Sequence, residues 1–158
     1  MSTTRKMSGG RVDRTELPQG PSGRALCRWC AMEVPARRHT FCSAWCVHEW
    51  RLRSNPGYLR EQVLLRDKGI CAVCRIDAVH AFHVLRRARG ARRLELLARW
   101  GLTRMNRRSL WDADHILPVA ERGGECDLAN IRTLCLPCHR KATQDLRERL
   151  RRGLVERG

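Results

Sequence analysis

Eight of the nine cysteines in this 158-residue chain fall into four close pairs. Two residues separate Cys27 from Cys30, Cys71 from Cys74 and Cys135 from Cys138, and three separate Cys42 from Cys46. Such spacing lets one turn of backbone present two thiolates to the same ion. The rest of the chain makes this the controlling feature. Aromatic residues are 5% and hydrophobic residues 42% of the sequence, so the apolar core is expected to be modest. Metal cross-links are the natural supplement. The sequence shows no apolar run long enough for a signal-peptide core or a membrane span. The chain is therefore expected in a reducing compartment, cytoplasmic or, in a eukaryote, nuclear, where thiols are free or bind metal.

Met1 to Ala25 is rich in Ser, Thr, Gly, Pro and Arg without periodicity, and reads as a disordered basic tail. Residues 26–58 read as an N-terminal zinc module. Cys27, Cys30, Cys42 and Cys46 supply four thiolates for tetrahedral Zn²⁺, with His39 and His48 near enough to replace one of them. Trp29, Trp45 and Trp50 are expected to pack around that metal. Asn55-Pro56-Gly57 reads as a turn at the module boundary, followed by a short helix from Tyr58 to Asp67. A redox role for Cys71 and Cys74 would call for a βαβ setting that the sequence does not show. Cys126 stands alone as a small buried side chain.

Formal charge is +16, from 32 Lys+Arg against 16 Asp+Glu. Eight thiolates and two Zn²⁺ would change it by −8 + 4, leaving +12. A polyanion is the expected partner, nucleic acid first. The charge is concentrated between Arg75 and Leu110, where ten Arg against Asp77 and Glu95 give 10 − 2 = +8. Ala81, Leu85 and Ala88 share one helical stripe there, and Leu94, Leu97 and Ala98 another. Gly90 falls between them and Gly101 at the end of the second. This insert is either a solvated basic cover or a grip on phosphates. A charge run by itself favours the first reading; the motif that follows at Trp111 to His139 turns the balance to the second, with Arg86, Arg87, Arg92 and Arg93 as the DNA-binding set.

Trp111 to His139 reads WDADHILPVAERGGECDLANIRTLCLPCH. Asp114-His115-Ile116 and Ile131-Arg132-Thr133-Leu134 read as short strands, with a hairpin signal at Gly123-Gly124. Ala142, Leu146 and Leu150 then mark one face of a helix. Asp114 and His115, Ile116 and Pro118, the two glycines, Asn130, and Leu134-Cys135-x-x-Cys138-His139 resemble, in this order, the HNH endonucleases, the ββα-metal nucleases. The resemblance covers Gln62 to about Arg149.

The resemblance implies a small, zinc-stapled α+β fold. Its ββα-metal, treble-clef-like core would occupy residues 59–158, carrying the helical basic insert 75–110 beside the N-terminal module. It implies a second structural zinc on Cys71, Cys74, Cys135 and Cys138. It assigns His115 as general base and Asp114 and His139 as ligands of a catalytic divalent ion, Mg²⁺ or Mn²⁺, with Zn²⁺ or Ni²⁺ also accepted by this donor set. Asn130 either holds the hairpin that aims His115 or joins the metal shell. Asp112 could face the same side as Asp114, as a supporting or surface group. The expected function is metal-dependent endonuclease cleavage of DNA, double-stranded in the first instance. The alternative is a non-catalytic nucleic-acid-binding zinc protein or adaptor on an HNH scaffold. A protein partner for the first zinc module is compatible with either.

Overall fold

The computed structural model describes Val12 and residues 16–155 apart from Glu125. Most of the expected tail, residues 1–11 and 13–15, lies outside the described residues. Its last part has partners: Leu17 is buried, and Gln19 forms an isolated bridge with Ala25. The chain divides into two compact units. One comprises the described residues up to Glu61 with Leu117–Asn130, and the other Gln62–Ile116 with the described residues from Ile131 onward.

In the first unit a tight knuckle is closed by bonds from Cys27 N to Met32 O and from Ala31 N to Cys27 O, with Ala31 in the left-handed region at φ 58°. Helix α1, Ala44–Ser54, starts where the Ser43 side chain accepts from Cys46 N at 3.1 Å. That cap satisfies one of the donors a helix leaves open at its start. It also delivers Cys46 on the first turn, facing the knuckle. Cys27, Val34 and Cys46 are buried, with Trp29, Phe41 and Cys42 packed against them. Trp50 stacks edge-on to Phe41 at 5.6 Å, under the Arg28 guanidinium. Trp45 departs from expectation. It is 61% exposed, touching Trp29 only edgewise, because its place on α1 faces away from the cysteines.

Helix α2 spans Pro56–Asp67, so the expected Asn55-Pro56-Gly57 turn is instead the start of a helix. Asn55 Oδ1 accepts from Tyr58 N at 3.0 Å, and Pro56 takes the first helical position, where a missing N–H costs nothing.

The second unit contains the antiparallel strands β1, Trp111–His115, and β2, Ile131–Cys135, with Asp114 opposite Arg132 and His115 opposite Ile131. Helix α5, Leu136–Val155, follows β2 without a break. The expected tight Gly-Gly hairpin is not formed. The connection runs from Ile116 to Asn130 and contains two single 3₁₀ turns, Val119–Glu121 and Leu128–Asn130. Gly123 has a packing role there, since a Cβ would collide with Leu117 O. The basic insert forms two helices, α3 at Ala78–Arg87 and α4 at Gly90–Arg99, with Gly90 at φ +53° between them. Leu85, Leu110, Ile131 and Leu134 are fully buried.

β2 has a strand on one side only. Its other edge is closed by Ala72 N donating to Thr133 O and by Asp67 accepting from Thr133 N and Oγ1 at 3.1 and 2.8 Å. Arg66 donates to Ile131 O at 2.6 Å and to both Asp67 oxygens. The Arg66 hydrogen bonds hold the Asp67 carboxyl below its ordinary range, against the effect of burial and with help from Thr133. The exposed edge of a two-stranded sheet is thus consumed by side chains and by the Cys71–Cys74 knuckle.

Candidate active site and zinc centres

Cys27, Cys30, Cys42 and Cys46 converge in one unit, and Cys71, Cys74, Cys135 and Cys138 in the other, the ligand atoms of each group lying within 4.8 Å of one another. In the first group Sγ separations are 3.4 Å for Cys30–Cys42, 3.3 Å for Cys42–Cys46 and 3.8 Å for Cys46–Cys30. In the second, Cys74–Cys135 is 3.5 Å. Four sulfurs at about 2.3 Å from a tetrahedral Zn²⁺ stand about 3.8 Å apart, so each group fits that ion. Among the described residues the first group consists of the four cysteines without a histidine, and His48 Nδ1 lies 2.8 Å from Tyr58 Oη.

The thiols themselves point to a cation. Burial pushes Cys27 up, but N–H donors of Cys30, Cys42 and Trp29 outweigh it and bring the thiol down to about 6. Cys71 likewise falls to about 6, against burial, through N–H donors of Cys135, Cys74 and Val73. Cys42 is pushed up to about 12 by its hydrogen bonds to Cys46 and Cys30, and burial raises Cys135. Each cluster thus sets one lowered thiol beside raised ones, and a bound divalent ion would favour loss of the remaining protons.

A third candidate centre lies where β1 meets the first turn of α5. Period-two alternation puts Asp112 and Asp114 on the same face of β1. His139 faces both. Its Nε2 is 3.7 Å from Asp114 Oδ1, and its Nδ1 is 3.2 Å from Asp112 Oδ2. Two ligands on one octahedral ion at about 2.1 Å are about 3.0 Å apart, so the Asp114–His139 gap needs only a small closure. An Nδ1–H donated to Asp112 leaves the Nε2 lone pair directed toward Asp114, the arrangement in which a carboxylate orients a ligating imidazole. Both carboxylates also have arginine partners: Arg107 Nη2 is 2.5 Å from Asp112 Oδ1, and Arg132 Nη2 is 3.3 Å from Asp114 Oδ2.

His115 ends β1 and pairs with Ile131. Asn130 belongs to the other unit, where its side chain spans the connection: Oδ1 accepts from Leu117 N at 2.8 Å and Nδ2 donates to Leu117 O at 3.2 Å. The four expected DNA-binding arginines are not equivalent. Arg93 donates to Leu85 O at 3.0 Å, Arg92 is paired with Glu95 at 2.7 Å, and Arg86 lies over Phe82 at 5.9 Å. Cys126 is partly buried, and burial raises its thiol. Asp112 was visible to sequence reasoning through its spacing from Asp114. Arg132 was not, since only the strand register places it.

The family profile of the HNH endonucleases matches residues 103–145, spanning β1, β2 and the start of α5. The chain belongs to the HNH endonuclease family. It is similar to the DNA annealing helicase and endonuclease ZRANB3 of Mus musculus, 36% identical over 149 residues, 80% of this chain and 14% of that protein. Against ZRANB3 of Bos taurus it is 41% identical over 122 residues, 69% of this chain and 11% of that protein. The crystal structure of the human ZRANB3 HNH domain aligns with a TM-score of 0.48 and 34% identity, covering 63% of this chain and 97% of that one. The chain thus spans only a small part of the length of the full-length relatives. Among the described residues no helix is long and apolar enough to cross a membrane.

Proposed function

We propose that this chain is a divalent-metal-dependent DNA endonuclease, hydrolysing phosphodiester bonds at the face shared by β1 and α5. The observation that carries the reading is the opposition of Asp114 Oδ1 and His139 Nε2 at 3.7 Å, with Asp112 behind the imidazole. One carboxylate and one imidazole would hold the ion and leave most of its shell for water and phosphate. The ion, when bound, supplies Lewis-acid charge to the scissile phosphate. His115 takes the proton from the attacking water, a task suited to imidazole near neutral pH. Asp114 and His115 are consecutive at the end of β1, and the reading requires a phosphate seated across that strand end rather than on one face of it. Asn130 acts by clamping Leu117, the second residue after β1, and is a positioning group in this reading.

Cys27, Cys30, Cys42 and Cys46 hold one structural zinc, and Cys71, Cys74, Cys135 and Cys138 the other. The working division is an N-terminal zinc module at 26–58 and a nuclease domain at 59–158. The cytoplasm, or the nucleus of a eukaryotic cell, is the site of action. Conversion of supercoiled plasmid to nicked or linear forms only when Mg²⁺ or Mn²⁺ is supplied tests the proposal. Plasmid left intact under every ion would favour the non-catalytic binding protein.

Two further outcomes follow. Asp112→Ala is expected to weaken Mn²⁺ binding by about 10–100-fold, since the partner that orients a ligating imidazole is removed. Titration with Mn²⁺ by electron paramagnetic resonance reads this directly, and unchanged affinity would make Asp112 a surface group. The basic insert is expected to grip phosphates. Replacing Arg86, Arg87, Arg92 and Arg93 together by Ala should flatten the log–log dependence of DNA affinity on salt, by about 0.9 for each phosphate no longer neutralised. The pairing of Arg92 and Arg93 within the protein makes Arg86 and Arg87 the larger contributors. A wild-type slope in the quadruple variant would reduce the insert to a solvated cover.

A further inference from the structure

Arg132 is a cationic side chain in contact with Asp114 that the family resemblance did not single out. Its backbone is fixed opposite Asp114 by the antiparallel register. Its side chain is 30% exposed. The bond to Asp114 is a single one, Nη2 to Oδ2 at 3.3 Å. Strong guanidinium–carboxylate pairs are short, at about 2.7–2.9 Å, and frequently make two parallel bonds. Here the Nε, which would supply the second bond in a side-on fork, is buried and has no hydrogen-bond partner among the described residues. A buried donor without a protein partner is costly, so Arg132 keeps hydrogen-bonding capacity that Asp114 does not use.

We propose that Arg132 is a catalytic residue whose guanidinium bears on the scissile phosphate, sharing with the metal ion the neutralisation of charge that grows during hydrolysis. This rests on the nuclease reading above. The step is a simple hydrolysis. The water oxygen forms a new bond to phosphorus while one ester P–O bond breaks. His115 takes the water proton, and the departing sugar oxygen gains a proton from solvent. Arg132 exchanges neither proton nor electron. Its planar, permanently charged fork matches two non-bridging phosphate oxygens. Turning from Asp114 to phosphate also frees Asp114 Oδ2. The pair at 3.3 Å therefore keeps the carboxylate aligned before substrate arrives. Arg107 is a poorer candidate for the same task, because its 2.5 Å bond to Asp112 is short and lies on a more exposed side chain.

The test compares wild type, Arg132→Ala, Arg132→Gln and Arg132→Lys as full chains, each first checked for native circular dichroism and zinc content. Three quantities are read: single-turnover plasmid cleavage at saturating Mn²⁺ and DNA, DNA affinity without added Mn²⁺ and without chelator, and Mn²⁺ affinity by paramagnetic resonance. The Ala and Gln variants are expected to lose about 10²–10³-fold in cleavage rate, the scale of one preorganised charge-stabilising donor. Lys should recover part of it. Mn²⁺ affinity should stay the same or tighten, because a positive charge has left the site, and DNA affinity should change little beside the rate.

Cleavage near the wild-type rate in folded Ala and Gln variants would overturn the proposal. So would a rate defect that vanishes as Mn²⁺ is raised, with weakened Mn²⁺ binding, since Arg132 would then only support Asp114. Absence of cleavage by wild type in the same reactions would instead overturn the nuclease reading, and Arg132's catalytic role with it.

Discussion

Replacing Cys71 by Ser should collapse the second unit, the largest stability effect expected in this chain. Cys71 is fully buried, and its neighbour Ala72 donates to Thr133 O on the free edge of β2. Its cluster joins the knuckle before α3 to Cys135 and Cys138, at the end of β2 and the start of α5. Structural zinc sites are worth about 10–16 kcal/mol in small metal-folded peptides. Whole domains are stable by only about 5–15 kcal/mol. A modest apolar core cannot offset such a loss. The variant should therefore bind about one zinc in place of about two, lose its cooperative melt and lose cleavage. Cys42→Ser, in the other unit, should lose its own zinc and leave the second unit's melt in place. Metal analysis and thermal circular dichroism on both variants check this. Two retained zincs and an unshifted melt in Cys71→Ser would remove the second cluster from the account.

His115→Ala should abolish metal-dependent cleavage while folding, zinc content and DNA binding stay close to wild type. A positioned general base contributes about 10²–10⁴-fold, and the attacking water has no other assigned acceptor at this strand end. His115 sits at the end of β1, outside both cysteine clusters, and is not among the buried residues, so its truncation should spare the core. Single-turnover rates on plasmid at saturating Mn²⁺ measure the effect. Cleavage at the wild-type rate would assign the base elsewhere.

Much of this was legible in the sequence because metal chemistry needs donors in fixed numbers and at fixed spacings. The four cysteine pairs, together with Asp114 and His139, are recognisable without knowing how strands pair. The length of the β1–β2 connection was not. Gly123 and Gly124 carry a hairpin signal, but Gly123 is glycine because Leu117 O approaches its Cα, not because it turns the chain between two strands. Asn55-Pro56 similarly resembles a turn and is a helix start, since the same residue types cap helices. Arg132 and Asp67 act through partners 18 and 66 residues away, which only the register and the tertiary fold bring together. Trp45 escapes sequence reasoning because its helical face depends on where Ser43 starts the helix.

The central claim is that one divalent ion held by Asp114 and His139 makes this chain a nuclease. The most direct measurement is cleavage of supercoiled plasmid by wild type, Asp114→Ala and His139→Ala across a Mn²⁺ titration, with Mn²⁺ binding followed in parallel. Wild type is expected to cleave with a Mn²⁺ dependence that tracks its binding curve, and both variants to lose binding and cleavage together while keeping their zinc. Cleavage by either variant with wild-type Mn²⁺ dependence would contradict the claim.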